Sequence, residues 1–126
     1  MPGGEPIRIV IVEDNKVFRE ALELLLGLRS DILVVGSVAD GEAAVPACRE
    51  FKPQVALMDY RLPGLDGVEA TRALKEACPT VAVVALTASA NREEMQALRE
   101  AGAVACLTKD KELEEIVAAI HEAARA

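Results

Sequence analysis

Five residues with chemically active side chains each follow a short apolar run of the sequence. Glu13 and Asp14 follow the first run, Asp59 the third, Thr87 the fourth and Lys109 the fifth. Three carboxylates brought together repel one another and raise their own pKa values unless a cation is bound among them. Carboxylate oxygens suit Mg²⁺, whose coordination is often completed by a phosphate oxygen. With an ammonium and a hydroxyl added, the set predicts a site for phosphoryl transfer.

Among the three acids, Asp59 is the best candidate for the nucleophile. It directly follows the apolar run 55–58, which predicts a rigid base for its side chain. Glu13 and Asp14 form an adjacent pair that is better suited to metal and water contacts. In an in-line transfer, the developing negative charge would be neutralised by Mg²⁺ and by Lys109.

The chemistry-bearing residues are spaced by an alternation of strand and helix patterns. Strands are predicted over 7–12, 32–38, 54–58, 80–86 and 104–107. Helices are predicted after them, over 41–50, 66–77, 91–101 and 111–125, with a first helix whose apolar face is Val17, Phe18, Ala21, Leu22, Leu25 and Leu26. This rhythm predicts an α/β fold with a parallel sheet covered on both faces, and such sheets bind ligands at the carboxyl ends of their strands.

Length and composition indicate one domain and exclude several classes of function. The 126 residues are enough for one core, and we expect a flexible leader over 1–6 and a single domain over 7–126. The net charge of −7 argues against direct nucleic acid binding by this domain, because nucleic acid requires a basic surface. No apolar run is long enough for a membrane span, no secretory signal is present, and Cys48, Cys78 and Cys106 suit reduced thiols. These features predict a cytoplasmic protein that does not contact membranes.

Over nearly its whole length, the chain resembles the receiver domains of two-component response regulators. The resemblance rests on the acidic pair, the aspartate, the threonine and the lysine at their strand ends, and on the stretch 58–67. It implies a flavodoxin-like doubly wound sheet of five strands in the order 2-1-3-4-5 with five helices. It also implies that Asp59 is the phosphoacceptor, Thr87 the switch hydroxyl and Lys109 the phosphate-binding lysine. Glu13, Asp14, Asp59 and the main-chain carbonyl of Arg61 would then bind Mg²⁺.

By the same resemblance, a sensor histidine kinase or a phosphotransfer protein would supply the phosphoryl group. The domain would be a signalling switch that promotes its own phosphorylation and dephosphorylation, and not an enzyme that turns over a substrate. Homodimer formation and a role in transcription regulation are both compatible with the family. Two other functions remain open, a phosphohydrolase acting through an aspartyl-phosphate and a receiver-like module with a fixed interaction surface. A hydrolase is disfavoured because Arg61 stands where that class has a second acid.

Two positions depart from the family pattern. Cys106 stands where receivers usually carry Tyr or Phe, so a switch that moves an aromatic ring cannot operate in that form. Asp110 replaces the proline that usually follows the lysine, and we expect a trans peptide bond there. Simpler duties also remain open for single residues. Asp14 or Asn15 could cap the first helix, Asp66 is expected to cap the third, and His121 is expected on a solvated helix face.

Overall fold

The computed structural model describes residues 4–88 and 91–125, in which five strands alternate with five helices. Residues 1–3 of the predicted leader lie outside this description. The elements in chain order are β1 (Ile7–Val12), α1 (Lys16–Gly27), β2 (Ile32–Val38), α2 (Ala44–Phe51), β3 (Val55–Asp59), α3 (Gly67–Ala77), β4 (Ala82–Thr87), α4 (Arg92–Ala101), β5 (Ala105–Thr108) and α5 (Leu113–Arg125).

The five strands form one parallel sheet in the order β2-β1-β3-β4-β5, as predicted. One face of the sheet packs against α1 and α5 through a core that includes Leu22, Leu26 and Ile120. The other face packs against α2, α3 and α4 through a second core that includes Leu74 and Leu98. Because both faces are covered, the central strands are apolar throughout their length, and polar side chains appear only at their ends.

Three strands extend further toward their carboxyl ends than the sequence pattern predicted. β3 includes Asp59, β4 includes Thr87 and β5 includes Thr108. The reason is the parallel pairing, in which Asp59 aligns with Leu86 and Thr87 aligns with Thr108. The ladder therefore continues through residues that hydrophobicity alone marks as the start of a loop. Asp59 and Thr87 are held by the sheet itself, which limits their movement.

The prediction for the buried face of α1 was partly wrong. Leu22 and Leu26 are buried, but Val17 is 80% exposed, Leu25 is 43% exposed and Ala21 is also exposed. Apolar residues surround more of this helix than one contact with the sheet can cover. The helix therefore buries one row of side chains and leaves the surplus at the surface.

The second helix begins three residues later than predicted, because residues 41–43 form a turn. The Asp40 carboxylate accepts a hydrogen bond from the Ala43 amide at 2.8 Å within this turn. A Cβ placed on Gly41 would lie only 2.0 Å from the Leu65 carbonyl oxygen. Close approach of the loop before α3 therefore requires glycine there, which fixes this loop beside the turn.

The peptide bond that follows Lys109 has the expected geometry. No cis peptide bond occurs within residues 4–88 and 91–125, so the bond between Lys109 and Asp110 is trans, as expected.

His121 is not simply solvated, because its Nε2 lies 2.7 Å from Asp31 Oδ2. Asp31 also accepts hydrogen bonds from Arg29, at 3.0 and 3.2 Å, and Arg29 reaches Glu114 at 3.3 Å. These four residues form a polar cluster that joins the turn before β2 to α5.

Across the described ranges, no helix has the length and apolarity required to cross a membrane.

Candidate functional site

Three carboxylates meet at the carboxyl edge of the sheet. Glu13 and Asp14 follow β1, Asp59 ends β3, and one carboxylate oxygen from each lies within 4.8 Å of the others. Glu13 is 1% exposed and Asp59 is 4% exposed, whereas Asp14 faces solvent. The sheet order explains the meeting, because β1 and β3 are neighbours and end at the same edge. The structure thus brings the predicted acids together.

Lys109, which follows β5, extends its ammonium into the same cluster. Its Nζ lies 3.1 Å from Asp59 Oδ1 and 2.9 Å from Glu13 Oε1, and it donates a hydrogen bond to Glu13 Oε2 at 3.0 Å. The Lys109 amide donates to the Thr87 carbonyl at 2.8 Å, which fixes the start of the lysine loop to the end of β4. One ammonium therefore contacts two buried acids, and the third, exposed acid lies beside them.

The pKa values of Asp59 and Lys109 are both shifted by burial and by the charges of the cluster. Burial raises the pKa of the Asp59 carboxyl, and the neighbouring Glu13 carboxylate raises it further against the opposing effect of Lys109. Burial alone would lower the pKa of Lys109, but hydrogen bonds and attraction from Glu13 and Asp59 outweigh it, and the pKa is raised. The ammonium form of Lys109 is therefore favoured, and the charged form of Asp59 is disfavoured.

The residues present fit a hard divalent cation. Glu13 Oε1 is buried and makes no hydrogen bond of good geometry, although Lys109 Nζ is close to it. Glu13 Oε2 accepts from the Asn15 amide at 3.1 Å, which orients the carboxylate. An all-oxygen donor set with one exposed member suits Mg²⁺, which keeps several waters when protein carboxylates bind it. Asp14 and Arg61 line one open cleft beside this cluster.

Asp14 and Asn15 were both candidates for the N-cap of α1, and the structure shows that Asn15 is the cap. Its side chain accepts a hydrogen bond from the Phe18 amide at 2.9 Å and so caps α1. Asp14 is therefore not required as the cap and can contact a cation. Asp66 does cap α3 as expected, in a reciprocal arrangement with Glu69, at 2.8 and 3.2 Å.

Thr87 is buried at the end of β4, one residue beyond the position that pairs with Asp59. Ala88, which follows it, is exposed. The loop after β3 packs tightly behind Asp59, since a Cβ on Gly67 would lie 2.4 Å from the Asp59 carbonyl oxygen. Glycine is required there by this close approach, and the Gly67 amide donates to the Tyr60 carbonyl at 2.8 Å. The backbone on both sides of the phosphoacceptor candidate is thus constrained.

Two residues that support the cluster carry no signal in the sequence motif. Lys109 Nζ lies 4.8 Å from the centroid of the Phe18 ring, a cation–π contact that orients the ammonium. Arg19 Nη1 donates to the Glu13 carbonyl at 2.8 Å. Both residues lie in the first turn of α1, and their periodicity marked them only as helix positions. Their general proximity to the strand ends follows from the short β1–α1 connection, but their side-chain contacts depend on how α1 is rotated about its axis.

Comparison with known proteins agrees with this geometry. The sequence model of the response regulator receiver domain matches residues 9–121. The chain belongs to this family. The match includes most of both cores and every strand end that contributes to the cluster. The predicted family and the predicted α/β fold are therefore confirmed.

Curated response regulators are similar to this chain over most of its length. Response regulator GacA of Pseudomonas protegens is 39% identical over 115 residues, which are 91% of this chain and 54% of that protein. A transcriptional regulatory protein NarL of Mycobacterium tuberculosis is 33% identical over 124 residues, 98% of this chain and 57% of that protein. The receiver domain thus spans about half the length of the curated relatives that it matches.

A solved structure is also closely similar. The signal receiver domain of response regulator NarL from Mycobacterium tuberculosis superposes with a TM-score of 0.93 at 32% sequence identity. The superposition covers 98% of this chain and 99% of that domain. The whole described fold is therefore that of a receiver domain.

Proposed function

We propose that this receiver domain is a switch in which Asp59 accepts a phosphoryl group in a Mg²⁺-dependent reaction. One observation carries the proposal: a single ammonium, Lys109 Nζ, contacts both Asp59 at 3.1 Å and Glu13 at 2.9 Å inside a largely buried acidic cluster. A purely structural ion pair needs one acid for each lysine. The additional carboxylates suit a site that also binds a divalent cation and a phosphoryl group.

In this proposal Glu13, Asp14, Asp59 and the main-chain carbonyl of Arg61 bind the metal. Mg²⁺ supplies positive charge that neutralises the phosphoryl oxygens during transfer. The chain supplies the remaining functions. Asp59 provides the nucleophilic oxygen, Lys109 provides a fixed ammonium, and the strand ends hold both before the donor arrives.

The phosphoryl donor in this proposal is a phosphohistidine of a sensor histidine kinase or of a phosphotransfer protein. A carboxylate oxygen of Asp59 forms a bond to phosphorus as the bond between phosphorus and the donor nitrogen breaks. The electron pair of that bond leaves with the imidazole. Attack of water on the aspartyl-phosphate later releases inorganic phosphate and restores the carboxylate, so the domain resets itself.

The switch itself would act through the ends of β4 and β5. Phosphorylation adds a charge of about −1.5 to −2 at Asp59. The hydroxyl of Thr87, at the end of β4, and the ammonium of Lys109, just after β5, are the groups proposed to respond to that charge. Because the Lys109 amide is bonded to the Thr87 carbonyl, the two loops are expected to move together. The helices that follow them, α4 and α5, would then present a changed surface.

With Cys106 in place of an aromatic residue, this switch must change conformation in a different way. Its side chain is buried in β5, and its Sγ lies 3.6 Å from the Met95 carbonyl oxygen of α4. Burial raises the pKa of this thiol, so it remains uncharged. A thiol has no ring to rotate between two positions. The change at the α4 surface is therefore expected to come from movement of the α4 backbone relative to β5.

The output is proposed to lie outside this domain. Since relatives about twice as long include a transcriptional regulatory protein, we propose a role in transcription through a separate DNA-binding segment. The receiver domain has a net charge of −7 and is not expected to bind nucleic acid directly.

The proposal is tested by incubating the protein with acetyl phosphate and Mg²⁺ and measuring intact mass. One phosphoryl group per chain is expected, and omission of Mg²⁺ should remove most of the labelling. Asp59→Asn should abolish labelling, because an amide cannot act as the nucleophile. Asp66→Asn is the matched control, since it removes a nearby charge but retains the helix cap, and it should label normally.

Equal labelling of Asp59→Asn and the unmodified chain would contradict the assignment of the phosphoacceptor. Rapid release of many phosphates per chain from small phosphoesters would instead support the phosphohydrolase. No labelling at any Mg²⁺ concentration, in a folded protein, would support the fixed interaction module.

A further inference from the structure

Two cysteines line one open cleft at the end of the molecule opposite the candidate site. Cys48 in α2 and Cys78 at the end of α3 both contribute to this cleft, which has a volume of about 380 Å³. The cleft is formed by residues that precede β3 and β4, so it lies at the amino edge of the parallel sheet. Asp59 lies at the carboxyl edge. All three cysteines of the chain are free thiols. The cleft therefore brings together two thiols that the proposed phosphorylation does not use.

The fold holds both cysteines at the ends of two helices that pack against each other. α2 contacts α3 on one face of the sheet, where Cys48 belongs to the core and Cys78 packs against the same core. The Lys52 amide donates to the Cys48 carbonyl at 2.9 Å at the end of α2. The Cys78 amide donates to the Leu74 carbonyl at 2.7 Å at the end of α3. The backbone that carries each thiol is therefore fixed by a helix terminus.

The two thiols differ in exposure and are close enough to influence each other. Cys48 is 2% exposed, whereas Cys78 is partly exposed. Burial, and to a smaller extent the charge of the nearby Cys78, raise the pKa of the Cys48 thiol to about 12. Within residues 4–88 and 91–125, neither sulfur has a hydrogen-bond partner. Cys48 is thus a buried thiol without a structural bond that lines a cleft open to solvent.

A metal site does not explain this pair of thiols. Among the described residues, the one group of three or more potential metal ligands consists of Glu13, Asp14 and Asp59, at the other edge of the sheet. A structural zinc site requires four ligands. The charged side chains that line the cleft are Arg49 and Lys52, which repel a metal cation. Two neighbouring thiols without a third ligand are instead the groups that form a disulfide.

We propose that Cys48 and Cys78 form an oxidative modification site, in which hydrogen peroxide converts the two thiols into an intramolecular disulfide. The Cys78 sulfur attacks one peroxide oxygen, the O–O bond breaks, and Cys78 becomes a sulfenic acid while the other oxygen leaves as water with the thiol proton. The Cys48 sulfur then attacks the sulfenic sulfur, the S–O bond breaks, and a second water leaves with the Cys48 proton. Two thiols are oxidised and one peroxide is reduced to two waters.

The different environments of the two thiols assign these roles. Cys78 reacts first because peroxide reaches it from solvent, and Cys48 reacts second because it is shielded and stays protonated at neutral pH. The second step should be the slower one, since a thiolate is the better nucleophile. The disulfide closes a loop of about 30 residues that contains β3 and α3, which constrains the unfolded chain. The inference does not depend on the proposed phosphorylation.

Intact mass after oxidation and alkylation tests the proposal. The folded chain is treated with hydrogen peroxide, the peroxide is removed with catalase, and the chain is unfolded in the presence of N-ethylmaleimide. The untreated chain should take up three alkyl groups, one for each cysteine. The oxidised chain should take up one group, at Cys106, and proteolysis should yield the Cys48 and Cys78 peptides joined to each other. Dithiothreitol should restore all three sites.

Single variants separate the roles of the three cysteines. Cys48→Ala should form no disulfide and should accumulate a sulfenic acid at Cys78, which dimedone traps. Cys78→Ala should keep both remaining thiols available for alkylation, because no exposed thiol is left to react first. Cys106→Ala is the matched control, since it removes the other buried cysteine from the same core, and it should form the disulfide as the unmodified chain does.

Urea unfolding provides a second measurement. The oxidised chain should unfold at a higher urea concentration than the reduced chain, because the closed loop restricts the unfolded state. Peroxide should produce no such increase in Cys78→Ala. Three alkylated cysteines after treatment of the folded chain would overturn the proposal, and so would a disulfide that includes Cys106 or joins two chains. A disulfide that forms only when urea is present would show that the thiols are not adjacent in the fold, and would overturn it as well.

Discussion

At the scale of the residue, Lys109 is where three parts of the domain meet. Its ammonium contacts Glu13 after β1 and Asp59 in β3, and it also lies over the Phe18 ring in α1. The lysine offsets part of the repulsion between the two buried acids. A change at this position therefore affects stability as well as chemistry, and the two effects can be separated with Mg²⁺.

Lys109→Ala should lower the free energy of unfolding by about 2 kcal/mol without metal. This is less than the roughly 3–5 kcal/mol for a fully buried pair, because 20% of the lysine side chain is exposed. Added Mg²⁺ should restore part of the loss, since it supplies positive charge at the same acids. Phosphorylation by acetyl phosphate should remain slower than in the unmodified chain.

Urea unfolding with and without Mg²⁺ measures the stability effect, and intact mass against time measures the rate. Lys111→Ala, at an exposed position in the same loop, is the control and should change neither quantity. Unchanged stability and unchanged phosphorylation kinetics in Lys109→Ala would contradict the role assigned to the ammonium.

At the scale of the element, the order of helices and strands could be predicted from the sequence. The buried face of α1 and the end of β3 were predicted less well. Periodicity identified every helix, because apolar residues recur at helical spacing. It could not decide which apolar row of α1 faces the sheet, since Val17, Leu22 and Leu25 are equally hydrophobic by type. It also ended β3 before Asp59, because pairing with the neighbouring strand is not visible in one segment alone.

The start of α3 provides a test at this scale. Asp66→Ala removes the side-chain oxygen that accepts from the Glu69 amide at 2.8 Å. Loss of a helix cap of this kind costs about 1 kcal/mol, so the midpoint of urea unfolding should fall. Asp66→Asn should retain most of the stability. Equal loss in both variants would show that charge near the cluster matters more than the cap.

At the scale of the whole molecule, the polar cluster of Arg29, Asp31, Glu114 and His121 joins the turn before β2 to α5. Hydrogen bonds from Arg29 and His121 hold the pKa of Asp31 at about 2, below its ordinary value of 3.8. Because the folded pKa is lowered, the carboxylate stabilises the fold fully above about pH 4. That contribution is lost as pH falls toward 2.

Asp31→Asn should therefore destabilise the domain at neutral pH by up to about 1 kcal/mol, a modest value because the pair is partly exposed. The difference from the unmodified chain should shrink as pH is lowered from about 4 to 2, because the Asp31 carboxyl of the unfolded chain takes up a proton before that of the folded chain. Urea unfolding at several pH values measures this. A difference that stays constant over that range would contradict the assigned ionisation.

For the candidate site, the reactive residues could be predicted from the sequence, but the contacts that orient them could not. Glu13, Asp14, Asp59 and Lys109 could be named because the carboxyl ends of parallel strands share one edge. The contact of Phe18 with Lys109 could not, since it depends on how α1 rotates about its axis. The polar cluster at Asp31 was also missed, because residues 31 and 121 are far apart in sequence and neither belongs to a motif.

Tyr60 gives the molecule a built-in optical probe. It is the only tyrosine in a chain that has no tryptophan, and it directly follows Asp59. It is partly buried, and its main-chain carbonyl accepts from Gly67 at 2.8 Å. All phenol emission therefore originates one residue from the phosphoacceptor candidate. Cation titration and phosphate turnover can be followed by ultraviolet fluorescence of the native chain, with no label attached.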